Sequence, residues 1–254
     1  MTLLITFKLL SKVKLNIMPN DYFSFKQFTI RQEQASFKVG TDGVLLGACA
    51  DLEGADSILD IGTGTGLIAI MAAQRSDAEI TAIEPEIDSF MQAEINIKNC
   101  PWPGRIKLIN TDLKKFFETT GQKFDLLISN PPYFRNSLKN QDAVKTLTRH
   151  ADSLTSTDLL RGSVTLLAEN GRLEIIMPYT EGTVFIAEAS EWGLYCNRII
   201  KVKGNPKGDV IRLIMKFERT KKPVHEKYLT IETGTRHRYT EEYKEATKDF
   251  YINF

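Results

Sequence analysis

Asn130, Pro131, Pro132 and Tyr133 follow an apolar, β-prone run, and their types suit chemistry on a planar amino group. Such a nitrogen is a poor nucleophile because its lone pair is delocalised into a ring or a carbonyl. If the Asn130 side-chain oxygen and the Pro131 carbonyl accept its two hydrogens, the nitrogen can pyramidalise and expose the lone pair. Tyr133 offers a face on which a flipped base can stack. The alternative is an ordinary strand-ending turn that contains two prolines.

A glycine loop lies upstream, with Gly62, Gly64 and Gly66 at alternating positions around Thr63. Glycines let the backbone approach a nucleotide closely, and the helix that follows directs its N-terminus at the ligand. The spacing differs from the G-x-G-x-x-G dinucleotide fingerprint. Asp60 precedes the loop, where a carboxylate repels a pyrophosphate but suits an ammonium-bearing ligand. This combination points to S-adenosylmethionine.

Two further acids end or follow the next predicted strands. Glu84 ends the run 78–84, and we expect it to accept hydrogen bonds from both ribose hydroxyls; the alternative is a surface glutamate. Asp112 follows the run 105–110. Its carboxylate can accept from the adenine amine of a cofactor or can cap a helix over residues 113–119.

A polar turn that contains Gly40, Thr41 and Asp42 precedes a small-residue helix predicted over residues 44–50. Thr41 or Asp42 either caps that helix or contacts the cofactor or active site. Upstream, residues 22–38 predict a strand or hairpin, in which four aromatic side chains are either core or part of a substrate wall.

The candidate site residues must be held by buried strands. Apolar runs without alternation suit strands that are buried on both faces of a parallel sheet, and helical segments separate them. We therefore predict an α/β protein with a seven-stranded, mostly parallel sheet, helices on both faces and a C-terminal antiparallel hairpin. The predicted strands of this sheet are residues 57–61, 78–84, 105–110, 124–130, 171–178, 195–203 and 209–218. The predicted helices that follow the first of them are residues 67–74, 86–99, 113–119, 156–168, 181–192 and a charged terminal helix within 239–251.

Composition narrows the class of protein. The chain has 254 residues, of which 42% are hydrophobic and 26% charged, and this length can bury a large core without metals or disulfides. The three cysteines form neither a disulfide framework nor a Cys-x-x-Cys metal pair, so we expect a reducing, cytoplasmic environment and no metal. No apolar run approaches the length of a transmembrane helix, so we expect no membrane span. The net charge of +1 means that nucleic-acid contacts must come from local patches.

The domain prediction is one methyltransferase domain over residues 18–254, divided into a hairpin and helix (18–50) and a catalytic core (51–254). Residues 1–17 mix apolar residues with three lysines and lack a signal-peptide cleavage site. We expect them to be a mis-annotated or disordered extension upstream of Met18. A weak amphipathic helix is the alternative.

Two polar regions are candidates for RNA contact. Residues 135–150 predict a long loop that acts as a lid or touches RNA, and His150 within it has no assigned role. Residues 198–227 contain ten basic and three acidic residues, which gives a local net charge of +7. This basic stripe either follows a phosphate backbone or is a solvated edge hairpin that lysines protect.

The chain resembles the class I S-adenosylmethionine-dependent methyltransferases that modify amino groups, which have a Rossmann-like fold. The residues that carry this resemblance are the glycine loop, Glu84, Asp112 and residues 130–133. More narrowly, three segments upstream of the glycine loop and one near the C-terminus are similar to the family of bacterial tRNA1(Val) adenine-37 N6-methyltransferases. These segments are residues 25–28, 38–43, 45–48 and 236–240. The likeness runs from about residue 18 to the C-terminus.

The resemblance implies methyl transfer from S-adenosylmethionine to N6 of a flipped adenine in a tRNA anticodon loop. It also implies cofactor contacts near residues 40–42, and tRNA held by the basic stripe and the aromatic N-terminal segment. We expect a monomer. The alternatives are glutamine N5 methylation of a release-factor type protein, amino methylation of ribosomal RNA, and a non-catalytic module that binds S-adenosylmethionine or RNA.

Overall fold

The computed structural model describes residues 21–132 and 154–254, and its strands form one hairpin and one large sheet. The strands are β1 (Tyr22–Ser24), β2 (Thr29–Arg31), β3 (Ser57–Ile61), β4 (Glu79–Ile83), β5 (Ile106–Ile109), β6 (Phe124–Ser129), β7 (Leu167–Pro178), β8 (Tyr195–Lys203), β9 (Val210–Glu218) and β10 (His225–Thr230). β1 pairs with β2, and the other eight strands lie in the order β10-β8-β9-β7-β6-β3-β4-β5. Strand β9 alone runs antiparallel to its neighbours in this sheet.

Helices cover both faces of the sheet. They are α1 (Thr41–Cys49), α2 (Leu67–Arg75), α3 (Ile87–Lys98), α4 (Leu113–Thr119), α5 (Ser156–Leu166), α6 (Tyr179–Glu191) and α7 (Glu241–Thr247), with a 3-10 turn at Pro103–Arg105. α1, α2, α3 and α7 pack on one face, and α4, α5 and α6 pack on the other, so each face has its own apolar core. The predicted α/β fold class, with its mostly parallel sheet and helices on both faces, is confirmed.

The inner strands are apolar because both of their faces are covered. Ile58, Leu59, Leu126 and Leu127 are completely inaccessible to solvent. Buried runs of this kind are typical of parallel strands between two helix layers. The chain leaves β3 toward β4 on one side and returns through β6 on the other, so the order reverses between β3 and β6. Ligands of open α/β sheets bind outside the carboxyl ends of strands at such a reversal.

The predicted count of seven strands is wrong, because β10 adds an eighth strand parallel to β8 at the edge. Four of its six residues are exposed, and Leu229 is its one buried residue. An edge strand that buries so little leaves almost no hydrophobic pattern in the sequence. The predicted terminal helix within 239–251 is also shorter, Glu241–Thr247.

Three of the four aromatic residues of the β1–β2 hairpin, Phe23, Phe25 and Phe28, pack into the core, whereas Tyr22 is exposed. Phe25 and Phe28 are buried and stack with ring centroids 4.7 Å apart, and Tyr251 stacks on Phe25 at 6.0 Å. The Lys26 ammonium donates hydrogen bonds to the carbonyls of Lys248 and Phe254, at 2.5 and 2.7 Å. The hairpin and the C-terminal residues therefore hold each other against α1 and α2. The three packed aromatics are core, and a substrate-wall role stays a prediction for Tyr22 alone.

All three cysteines are removed from bulk solvent to a large degree. Burial raises the pKa of Cys49 to about 11 and that of Cys196 to about 12, and it also raises the pKa of Cys100. None of them forms a disulfide. Their thiols therefore behave as small apolar groups of the core.

Gly171 lies where the pairing of β6 with β7 jumps from Phe124–Leu167 to Leu126–Arg172. A Cβ at Gly171 would sit 2.8 Å from the Phe124 carbonyl oxygen, and backbone cannot easily move away. We expect Gly171→Ala to lower the free energy of unfolding by about 1–3 kcal/mol in urea denaturation. A Cβ at Gly121 meets nothing within 4 Å, so Gly121→Ala is the control, with a change within about 0.5 kcal/mol. Equal stability of the two variants would contradict the packing argument.

Several predictions concern residues outside those described. They are the extension 1–17 with its start at Met18, Tyr133, and the loop 135–150 with His150. The division of the chain at residue 18 and at residue 50 stays a prediction. Among the described residues, no helix has the length and apolarity to cross a membrane.

Candidate functional site

The candidate site residues gather at one edge of the sheet, where β3, β4 and β6 end side by side. The buried Ser129 hydroxyl, on the last residue of β6, donates a 2.9 Å hydrogen bond to the Ile61 carbonyl at the end of β3. This bond fixes the start of the Asn130 loop against the start of the glycine loop. Sequence reasoning did not single out Ser129, because a serine at a strand end carries no distinctive signal.

Asp60 is fully buried at the end of β3, and its two carboxylate oxygens differ. Oδ2 accepts from the Thr63 hydroxyl at 2.5 Å and from the Ala69 N–H at 3.1 Å. Oδ1 is buried and has no hydrogen-bond partner among the described residues. Burial raises the pKa of Asp60 to about 7, against the lowering effect of those two hydrogen bonds, and the nearby Glu84 raises it further. A buried acceptor without a donor is costly, so this oxygen suits a cationic donor from a ligand.

The glycine loop leaves open space beside its backbone. Gly62, Gly64 and Gly66 have φ values of 71°, 57° and 82°, a left-handed region that favours glycine. A Cβ at Gly62 or Gly64 would meet no atom within 4 Å, whereas one at Gly66 would touch Ala93 and Ile97 of α3. The first two glycines thus line an open cradle, and the third permits close helix packing. The Gly62 and Thr63 N–H groups both donate to the Ile83 carbonyl at 3.0 Å, which anchors the loop on β4.

Glu84 is buried directly after β4 and faces the glycine loop. Its Oε2 accepts from the Gly64 N–H at 2.8 Å, and its Oε1 accepts from the Glu86 N–H at 3.0 Å. Burial raises the pKa of Glu84 even though both hydrogen bonds lower it. The alternative of a surface glutamate is wrong. Each oxygen keeps a further lone pair that can accept from a ligand hydroxyl.

Asp112 is the N-cap of α4. Its Oδ1 accepts from the Lys115 N–H at 2.8 Å, and its Oδ2 lies 3.6 Å from the Lys115 ammonium. The capping alternative is therefore realised in the structure. The side chain is half-buried at the same edge as Glu84, because β5 ends beside β4. A role toward a cofactor adenine stays a prediction.

Asn130 is half-buried at the end of β6, Pro131 is buried and Pro132 is exposed. The N-terminal turn of α1 packs against Asn130, since a Cβ on Gly43 would lie 3.8 Å from the Asn130 Nδ2 and 3.1 Å from Leu67. Only a residue as small as glycine fits easily there. The asparagine side chain is thus confined between α1 and the helix that follows the glycine loop.

The structure places Gly40, Thr41 and Asp42 at the start of α1, directly before the Gly43 that lies against Asn130. Gly40 is the N-cap, and no side chain caps this helix, so the capping alternative for Thr41 or Asp42 is wrong. Asp42 instead forms an ion pair with Arg212 of β9, with 2.8 Å between Oδ2 and Nε. Sequence reasoning did not find this contact, because 170 residues separate the partners.

A buried charge network holds the other end of α1. Glu174 on β7 is fully buried and accepts from the Arg198 Nη2 of β8 at 2.9 and 2.8 Å. Arg198 Nη2 also donates to the Cys49 carbonyl at 3.1 Å, and the Arg75 Nη1 donates to the Gly47 carbonyl at 2.8 Å. These arginines satisfy carbonyls at the C-terminus of α1, where cations are favoured. An acid within the apolar run 173–177 was the signal in the sequence for this network.

Much of the basic stripe is not available to RNA. Arg198 pairs with Glu174, Lys216 with Asp51 and Glu218, and Lys201 with Glu226. Arg212 and Arg219 are also engaged, the first with Asp42 and the second with the carbonyls of Val164 and Leu167. The local charge of +7 counted from the sequence therefore overstates the free charge on the β8–β9 hairpin.

No group of three or more His, Cys, Asp or Glu side chains that could hold a metal ion occurs within residues 21–132 and 154–254.

Comparisons with known proteins agree with this geometry. A family model described as the methyltransferase small domain matches residues 35–183. Proteins named tRNA1(Val) (adenine(37)-N6)-methyltransferase are similar to the chain. The one from Trichodesmium erythraeum is 42% identical over 93% of this chain and 100% of its own length, and the one from Christiangramia forsetii is 44% identical over 92% and 99%. A crystal structure of a predicted O-methyltransferase from Agrobacterium tumefaciens covers 82% of this chain and 96% of its own, with a TM-score of 0.64 and 20% identity, and shares the fold.

Proposed function

The chain belongs to the methyltransferase small domain family and to the family of its relatives, the tRNA1(Val) (adenine(37)-N6)-methyltransferases, and from this membership we propose that it methylates the N6 amine of an adenine in tRNA. The observation that carries the proposal is the junction of β3 and β6. There the buried Asp60 and the open glycine cradle meet the Asn130 loop, joined by the bond from Ser129 to Ile61.

S-adenosylmethionine, when bound, supplies a methyl group on a sulfonium, so the protein mainly binds and orients the reactants. The free Oδ1 of Asp60 fits the α-ammonium of the methionine moiety, and the cradle at Gly62 and Gly64 fits a closely approaching ligand. Glu84 accepts hydrogen bonds from the ribose hydroxyls. Asp112 accepts from the cofactor adenine with a lone pair that the Lys115 N–H does not use. Residues 40–42 close the site from the side of α1.

Asn130 and Pro131 act on the target amine. The Asn130 side-chain oxygen and the Pro131 carbonyl accept its two N–H groups, which turns the nitrogen lone pair toward the methyl group. Pro132 and the fixed φ of Pro131 keep that carbonyl in place, and Tyr133 stacks on the flipped adenine. After transfer the nitrogen is cationic, and one of its protons leaves to solvent. No general base is needed before the attack.

The pH dependence of cofactor binding tests the role of Asp60. Its pKa of about 7 means that it is half protonated near neutrality in the cofactor-free protein, and an ammonium binds the carboxylate form. We therefore expect the Kd for S-adenosylmethionine to fall up to about tenfold between about pH 6 and pH 8, before deprotonation of the ligand's own ammonium opposes the trend. Isothermal titration calorimetry measures this dependence.

Asp60→Asn is the control for that titration, because its amide keeps most of the shape without an ionisable group. It should bind the cofactor more weakly and with an almost flat pH profile over the same range. A flat profile for the unaltered protein would remove Asp60 from the ammonium contact.

The finer proposals are that the target is adenine 37 in the anticodon loop of valine tRNA, and that the protein acts as a cytoplasmic monomer. Glutamine N5 methylation is the main rival, since a glutamine amide presents the same kind of NH2 group. Enzymes of that kind usually carry an N-terminal helical domain, whereas β1 and β2 form a hairpin here.

The deciding experiment measures methyl incorporation from labelled S-adenosylmethionine. The full chain is offered tRNA from a strain without the endogenous activity and, separately, unmethylated release factor and ribosomal RNA. Label in valine tRNA, recovered as N6-methyladenosine, is the expected result. Label in the release factor or in ribosomal RNA would transfer the assignment to that substrate, and label in none of them would leave only a binding role.

A further inference from the structure

A turn at residues 232–239, named here the basic turn, lies on the same edge of the sheet as Asn130. β10 runs parallel to β8, and β8 runs in the same direction as β7, β6 and β3. The carboxyl end of β10, from which the basic turn emerges, therefore points the same way as the carboxyl end of β6. Neighbouring strands are about 4.8 Å apart, so the four steps from β6 to β10 span roughly 19 Å.

The basic turn is firmly attached to the sheet. The Ile231 N–H donates to the Lys203 carbonyl and the Glu232 N–H to the Gly204 carbonyl, both at 2.9 Å, so the chain extends the pairing with β8. Glu232 also bridges to Tyr239, which closes the turn. Tyr239 then stacks on Tyr243 of α7 with ring centroids 5.2 Å apart.

The backbone inside the turn is held in an unusual conformation. His237 has a φ of 64°, the one positive value among the described non-glycine residues. Its N–H donates to the Glu232 Oε1 at 2.8 Å, and the Thr233 N–H donates to the Arg238 carbonyl at 2.8 Å. A backbone in this region is costly and persists where the surrounding bonds enforce it, commonly at ligand-binding positions. The turn therefore holds the backbone from which these side chains project in one conformation without a ligand.

The side chains that the turn presents are basic and unpaired. Arg236, His237 and Arg238 are all exposed, and the ion pairs within the described part of the chain include neither arginine. The acid of the turn, Glu232, directs its carboxylate at the His237 N–H. This differs from the β8–β9 hairpin, where Arg198, Lys216 and other cations are neutralised by neighbouring acids. Free guanidinium groups on a fixed backbone suit phosphate oxygens.

We propose that the basic turn binds the phosphate backbone of the RNA substrate, with Arg236 and Arg238 contacting phosphates at a distance from the target base set by the four strand steps, roughly 19 Å, between β6 and β10. This inference rests on the proposed function, because it takes the substrate to be RNA. Because phosphate contacts carry no sequence information, the basic turn recognises RNA structure beyond the target base and not the RNA sequence.

The test compares the unaltered protein with R236A/R238A in tRNA binding by fluorescence anisotropy and in methylation kinetics. We expect the Kd and the KM for tRNA to rise roughly tenfold or more. The slope of log Kd against log salt should become shallower by about 0.7–0.9 for each phosphate that the variant no longer binds. The KM for S-adenosylmethionine and the kcat at saturating tRNA should not change.

Two further variants control for charge and folding. K98A/K107A removes two exposed positive charges near β5, at the opposite end of the sheet, and should bind tRNA normally. R236K/R238K keeps the charges and should recover most of the affinity and of the salt slope. An R236A/R238A protein that matches the K98A/K107A control in tRNA affinity and salt slope would overturn the proposal, as would an unaltered protein that does not bind tRNA.

The same experiment separates this proposal from the proposed function. If the unaltered protein methylates tRNA and R236A/R238A behaves identically, only the docking inference fails. If the unaltered protein binds tRNA through the turn but transfers no methyl group to it, only the proposed reaction fails.

Discussion

Asn130→Ala is expected to lower the kcat of RNA methylation by about 10²–10³-fold, because it removes one of the two acceptors that orient the target amine. The Pro131 carbonyl alone leaves the amine free to rotate and to keep its lone pair delocalised. The affinity for S-adenosylmethionine should change by no more than about twofold, since Asp60, the glycine loop and Glu84 are untouched. Single-turnover kinetics with saturating cofactor and tRNA, together with calorimetric cofactor binding, measure both quantities.

Two controls accompany this variant. Asn99→Ala truncates an exposed asparagine at the end of α3, away from the site, and should leave kcat unchanged. Asn130→Asp keeps an acceptor oxygen at the same position and should retain more activity than the alanine variant. Normal kcat with weakened cofactor binding in Asn130→Ala would assign the asparagine to the cofactor and not to the amine.

Arg198→Met is expected to lower the free energy of unfolding by about 3–5 kcal/mol, because Glu174 then remains buried without its partner. The Glu174 side chain is 0% exposed and Arg198 is 19% exposed, so water cannot replace the guanidinium. The Cys49 carbonyl also loses a donor. Lys98→Met breaks an exposed ion pair with Glu94 on α3, whose side chains are 67% and 48% exposed, and should cost less than about 1 kcal/mol.

The cost of Arg198→Met should depend on pH. Burial raises the pKa of Glu174 to about 7 although Arg198 lowers it, so loss of the arginine raises that pKa further. A carboxyl whose pKa is higher in the folded than in the unfolded state contributes stability at low pH and loses it as pH rises. The variant should therefore be more destabilised, relative to the unaltered protein, at about pH 8.5 than at about pH 6.

The double variant E174Q/R198M completes this comparison. Without the acid there is no buried charge to leave unpaired, so the double variant should be more stable than Arg198→Met alone. Urea denaturation of the unaltered protein, E174Q, R198M and the double variant gives the coupling energy. A double variant whose loss of stability equals the sum of the E174Q and R198M losses would show that the two side chains act independently.

The sequence was sufficient to predict the elements whose chemistry is local. The Asp60 and Glu84 positions follow from apolar runs that end in an acid, and the glycine loop follows from residue spacing alone. The Asp42–Arg212 and Glu174–Arg198 pairs could not be found this way, because each joins segments that only the sheet order brings together. The edge strand β10 was not predicted for another reason. It buries only one residue, so its sequence shows no alternation of apolar and polar residues.

The net charge of a sequence segment was a poor predictor of the positive charge that is free to bind RNA. The stripe from residue 198 to 227 is rich in cations, but the fold pairs many of them with acids, some within the stripe and others elsewhere in the chain, such as Asp42 and Glu174. The basic turn has fewer charges, but within residues 21–132 and 154–254 its two arginines enter no ion pair, and its own acid, Glu232, accepts from the His237 N–H. A linear sum of charges carries no information on which of them are neutralised across a sheet.

The burial of Cys49, Cys100 and Cys196 has a practical consequence for labelling chemistry. Maleimides and iodoacetamides react with thiolates, and a thiol with a pKa of about 11 or 12 is almost entirely protonated at neutral pH. These reagents should therefore react little with the three native cysteines, so none of them needs to be replaced before labelling. One cysteine introduced at the exposed Thr235 would then carry a fluorophore on the basic turn, and the same chain could report the arrival of RNA there in real time.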